Sequence, residues 1–114
     1  MAAVAFTAYG VHWWAIGMGR AFGADPVPNA FMSIAFTILS ALGIVVFFHK
    51  GVDTPVAGLF IGLTLVYICD FFASLRIPLG MRALGFFHLG TGLWLMYLTW
   101  AVVLNFAAGY NLIV

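Results

Sequence analysis

Apolar residues run along this chain in four long blocks, and the charged residues fall almost entirely between them. No Asp, Glu, Lys or Arg occurs in 1–19, 26–48, 54–69 or 83–114. A transmembrane helix needs about 20 mostly apolar residues, and the blocks have that scale. Punctuation divides them. The stretch 20–29 holds Gly23, Asp25, Pro26 and Pro28; 49–55 holds Gly51, Asp53 and Pro55; 76–82 holds Pro78 and Gly80. Glycine and proline in such clusters mark turns and helix starts, and Asp53 or Thr54 is placed to cap the third helix. The pattern predicts an all-α integral membrane protein with four transmembrane helices, near 2–21, 28–49, 55–75 and 80–107, in one up-down domain with short loops. Lipid offers no hydrogen bonds to an exposed backbone, so segments this long must be helical.

Composition strengthens the picture. Hydrophobic residues make up 66% of the 114 and charged residues 6%, against about 25% charged in a soluble domain. A net charge of +1 with no basic run gives no footing for nucleic acid. The first basic residue, Arg20, follows the first apolar block, whereas a signal peptide carries its basic residues ahead of it. Cys69 is the only cysteine, so no disulfide forms within the chain. There is no phosphate loop, paired-cysteine metal motif or nucleophile elbow, and an enzyme is not expected.

Polar residues inside the blocks are the informative ones. At 100° per residue, Tyr9 and His12 share a face of the first helix, Tyr67 and Asp70 a face of the third, and His88, Thr91 and Thr99 a face of the fourth. At 1.5 Å rise per residue, Asp70 and His88 lie about 9 Å below Arg76 and Arg82, and His12 about 12 Å below Arg20. The three would form one polar layer. Ionisable groups within a span are costly and mark functional sites, although an Asp70–arginine pair near the headgroups, or histidines that only bond between helices, would satisfy the same positions. Arg20, Arg76 and Arg82 form an anion-attracting mouth on one side. Small residues mark close helix approach: Gly10 and Gly17 on the first helix, with Ala3 in the same register; Ser33, Thr37 and Ala41 on the second; Gly58 and Gly62 on the third; Gly85 and Gly92 on the fourth. Trp94, Tyr97 and Trp100 have the makings of an interfacial belt.

The segment AFTAYGVHW, residues 5–13, resembles the Ala-Phe-[Ser/Thr]-x-Tyr-Gly-x-Phe-Trp signature of the acetate uptake transporter family, which includes the succinate–acetate permeases. DPVPNA, residues 25–30, resembles the loop that follows it there, and GFFHLGTGLWLMYLTWAVVLN, residues 85–105, runs without a gap against the family's last helix, with Gly85, Gly92, Tyr97, Leu104 and Asn105 on family-like positions. The resemblance implies six-helix proteins that form hexameric rings and move acetate and similar small carboxylates with protons. This chain covers the last four helices and has no counterpart of the family's Asn-Pro-x-Pro-Leu-Gly signature. His12 stands where the family has an aromatic ring, and His88 where a small residue is expected.

Two functions follow. One is a truncated transporter-like protein for acetate or related monocarboxylates, working as a homo-oligomer or with other membrane subunits in a bacterial inner membrane. Tyr9, Thr91 and Thr99 would line its path and His12 and His88 would carry protons. The other is a non-transporting accessory subunit of a larger complex, with no cofactor of its own unless His12 or His88 contacts a haem or chlorophyll-type pigment. Orientation is contested: counting Lys50 against Arg20, Arg76 and Arg82 puts the arginine loops in the cytoplasm, and the family topology puts them outside.

Overall fold

A computed structural model describes residues 2–49 and 53–114, with side chains from residue 7 onward in the first helix. It is all-helical, with no strand among the described residues. The helices are α1 Ala2–Ala21, α2 Val27–His49, α3 Thr54–Ser74 and α4 Pro78–Ala108. Three of them, α2, α3 and α4, are long and apolar enough to cross a membrane. Four were expected; α1, diluted by Tyr9, His12, Trp13 and Trp14, is not among them. Lys50, used in the charge count, and the side chain of Ala3 lie outside the described residues.

Each helix end has a local cause. Asp53 caps α3, its Oδ1 accepting from the Val56 N–H at 3.1 Å, with Pro55 in the first turn. α1 ends in a Schellman turn: Gly23 adopts φ 69°, the Ala24 N–H reaches the Gly19 carbonyl at 2.8 Å, and the Gly23 N–H reaches Arg20. That left-handed residue favours glycine. α3 ends in the same motif, but Arg76 occupies the left-handed position at φ 62°. α4 stops at Gly109, also left-handed. Beyond it the tail folds back, because the Asn105 amide pairs with both the N–H and the carbonyl of Leu112 at 2.8 and 2.9 Å, and the Tyr97 hydroxyl donates to the Ile113 carbonyl.

α3 is the central element. It packs closely on α2 and α4, while α1 approaches the others' backbones only sparsely, at α2. Glycine sets the close seams. A methyl group at Gly62 would collide with the Thr91 hydroxyl, one at Gly43 with the Phe60 ring, and one at Gly80 with the backbone of Ala73. Gly58 lies against Trp94, whose indole N–H donates to the Pro55 carbonyl at 3.0 Å. At Gly10, Gly17, Gly85 and Gly92 an added methyl would meet nothing within 4 Å. Those four glycines are not packing positions within the chain. Backbone approach here follows from which face turns towards α3, and an apolar helix in which every face is hydrophobic does not announce that face.

Gly62→Ala is expected to destabilise the α3–α4 seam by about 1–3 kcal/mol through overpacking. Thr91→Ala added to it should recover most of that loss, as coupled neighbours do. Unfolding of the two single variants and the double variant in mixed micelles measures the coupling; strict additivity would contradict this seam.

Candidate functional site

Two polar clusters and an aromatic stack join α1 to the rest of the protein. The first cluster surrounds Asp70, which is 0% exposed. Its Oδ2 accepts from Asn29 Nδ2 and from the Ser33 hydroxyl, both at 2.7 Å. The second Asn29 amide hydrogen goes to Ser74 Oγ at 2.9 Å. Ser33 Oγ is also 2.9 Å from the Asn29 carbonyl, but one hydroxyl proton serves one acceptor well, and the charged oxygen is the stronger of the two. Asp70 Oδ1 has no hydrogen-bond partner among the described residues. The Arg20 guanidinium comes to 3.9 Å from it, an ion pair at long range.

The second cluster is a relay. Ser40 donates to the Phe36 carbonyl at 2.7 Å, so the Tyr9 hydroxyl, 2.9 Å from Ser40 Oγ, acts as donor to it. Asn29, Ser33, Phe36 and Ser40 recur at steps of four, three and four along α2, which is one helical face. Ser33 belonged to the expected small-residue stripe; its companions Thr37 and Ala41 do not follow it inward, and Ala41 is exposed.

Between the clusters lies the aromatic stack. Tyr67, 0% exposed, stacks on Phe36, Trp13 and Tyr9 with ring centroids at 5.1, 5.5 and 5.7 Å. His12 stacks on Phe36 at 4.2 Å, and His88 meets the Trp13 edge at 4.6 Å. His12 Nε2 is buried without a hydrogen-bond partner among the described residues.

Because aromatic rings hold α1 away from close backbone contact, an open cavity of about 1500 Å³ remains between α1 and the first halves of α2 and α4. His12, His88, Arg20, Arg76 and Asn29 all line it. The expected polar layer is therefore divided. His12 and His88 share the cavity wall on either side of Trp13, whereas Asp70 is bonded in its own cluster and communicates with the cavity through Asn29, Ser74 and Arg20. Tyr9 and Tyr67 sit in the stack. Thr91 lies in the α3–α4 seam against Gly62, and the Thr99 hydroxyl bonds back to the Leu95 carbonyl on an exposed face; neither lines this cavity. Arg82 is exposed and is not among the residues that line the cavity. Among the described residues no group of three or more His, Cys, Asp or Glu could hold a metal ion.

Arg20, Arg76 and Asp25 line the mouth. Arg20 and Arg76 are 65% and 73% exposed at the side chain, and Arg76 pairs with Asp25 at 3.4 Å. Both pairs are longer than the roughly 2.7–2.9 Å of a full charge-assisted bond, so each guanidinium keeps donors for another partner. The first turns of α2 and α4 lie at the same end, and helix N-termini carry partial positive charge. Compared with known proteins, the chain matches no family model, no curated protein and no solved structure. The likeness to acetate uptake transporters therefore rests on its short motifs alone.

Asn29, Ser33 and Ser40 were not singled out from the sequence as site residues. A signal existed in the seven-residue spacing of Ser33 and Ser40 and in an asparagine just inside a helix start.

Asn29→Leu removes one bond to a buried carboxylate and one to Ser74, and a loss of about 1.5–3 kcal/mol is expected, read by unfolding in micelles. Arg76→Gly should act in the opposite direction. A non-glycine residue in the left-handed region costs roughly 1–2 kcal/mol, while an exposed ion pair returns at most about 1 kcal/mol. A less stable Arg76→Gly protein would show that the arginine holds the loop through contacts beyond the Asp25 pair.

Proposed function

We propose that this chain is a membrane-embedded helical protein that admits small monocarboxylates to the cavity between α1 and the α2–α4 half of the fold, as part of an oligomer or with partner subunits. The observation that carries the reading is the convergence on one cavity of two part-free arginines, two helix N-termini and two histidines. The apolar lengths of α2, α3 and α4 support insertion in a bilayer, and a bacterial cytoplasmic membrane suits the resemblance to acetate uptake transporters. An open cavity cannot conduct by itself without leaking, so a second surface must close it. Of the aromatic stack, Phe36 and His12 line the cavity.

A specific observation favours a second reading, the accessory subunit. Gly10 and Gly17 on α1 are exposed with open space beside them, and small residues on a lipid-facing surface are the usual seats of further helices. In that reading His12 or His88 would stand near a haem or pigment of the larger assembly, which a visible absorption spectrum of the purified particle would reveal.

Labelled acetate uptake into proteoliposomes separates the two. A transporter should exceed protein-free vesicles, and Arg20→Gln should raise KM about tenfold or more, the equivalent of one lost charge-assisted bond of roughly 1.5–3 kcal/mol. Absence of uptake, together with stoichiometric recovery in a larger complex, would favour the accessory subunit.

A further inference from the structure

The cavity has room for a much longer acid than acetate. Ligand pockets that enclose drug-sized molecules measure about 300–1,000 Å³, and this one is about 1500 Å³. Its shape is also one-sided. Along α1 the lining runs from Ala8 through Val11, Ala15 and Ile16 to Arg20, a distance of about 18 Å at the helical rise. That slightly exceeds one hydrocarbon leaflet, about half of the roughly 30 Å core. Met32 and Phe36 of α2 and Leu84 of α4 complete a mostly apolar slot. Every arginine and carboxylate that lines it belongs to the mouth: Arg20, Arg76 and Asp25.

We infer that the preferred ligand of this cavity is a medium- to long-chain monocarboxylate, its carboxylate held at Arg20 and Arg76 and its hydrocarbon chain laid along the Ala8–Val11–Ala15–Ile16 face of α1. The inference rests on the monocarboxylate reading of the site and adds the chain. A two-carbon acid leaves the apolar length of this slot unfilled, whereas each buried methylene of a longer acid strengthens binding. The guanidinium fork supplies paired donors that match a carboxylate, and the neighbouring helix N-termini add to the same field. The small side chains of Ala8 and Ala15 leave the width the chain needs.

The test is a binding series of acetate, butyrate, hexanoate, octanoate and decanoate to the purified full chain in phosphatidylcholine nanodiscs, with protein-free discs subtracted. Affinity should rise about fourfold per added methylene, from roughly 0.8 kcal/mol per buried CH₂. Arg20→Gln should weaken every acid by a similar factor and keep the slope. Ala15→Trp, and separately Val11→Trp, should flatten the slope by filling the slot. Acetate binding with no gain along the series would overturn the chain inference and leave the monocarboxylate reading standing. No binding at any length would remove both. A slope that survives both tryptophan variants would place the chain in bulk lipid and overturn the inference. Loss of octanoate binding in phosphatidylglycerol discs would show that an anionic phospholipid, and not a free acid, is the occupant.

Discussion

Burying a carboxylate away from water is tolerable only when donors and a countercharge come with it, and at Asp70 those groups come from two other helices. Asn29 and Ser33 reach it from α2 and Arg20 from the end of α1. Asp70 thereby ties the last turns of α1 and α3 to the first turns of α2 at one level. Ser74, one turn on from Asp70, takes the remaining amide hydrogen of Asn29 and extends the tie to the end of α3. Among the described residues the carboxylate is only half satisfied, since Oδ1 has just a distant guanidinium. Arg20 is consequently both the counterion of a buried group and an exposed group at the cavity mouth.

The second constraint is steric. Tyr9, His12 and Trp13 project from α1 onto Phe36 and Tyr67, and rings of that size hold two helices apart where glycine would let them touch. Below Asp70 the chain therefore has two kinds of contact. α3 and α4 close tightly over Gly62, and α2 closes on α3 where Gly43 meets Phe60. α1 instead stands off, anchored by rings and by the Tyr9–Ser40 bond. The cavity is the space that this difference leaves. Its charged mouth follows from the same arrangement, since the tie at Asp70 holds Arg20 and Asn29 at one end, while His12 and His88 face an otherwise mostly aliphatic length.

Backbone strain falls at the cavity mouth, on Arg76. The α3–α4 turn needs a left-handed residue, which glycine provides at Gly23 in the equivalent turn of α1. An arginine in that position gives up conformational ease to place a cation beside Asp25 and the cavity. Sites where the backbone holds an unfavourable geometry are often those where the side chain has a task.

Helix number and helix ends could be read from the sequence, because proline, glycine and capping aspartate act locally: Asp53 before Pro55 starts α3 wherever α3 lies in space. The apolar scale of α2, α3 and α4 was equally plain. That His12 and Asp70 required partners could also be inferred, since a buried polar group has a cost whatever surrounds it. Which partners they found was decided by tertiary structure. Gly10 and Gly17 look as suited to packing as Gly43 and Gly80, yet only the latter two meet a neighbour. Asp70 looked equally suited to the histidines, yet it bonds to Asn29 and Ser33. When nearly every face of a helix is apolar, hydrophobicity no longer marks the inward one, and the rotation of each helix is fixed only by the close fit of glycines, rings and hydrogen bonds against the helices beside it.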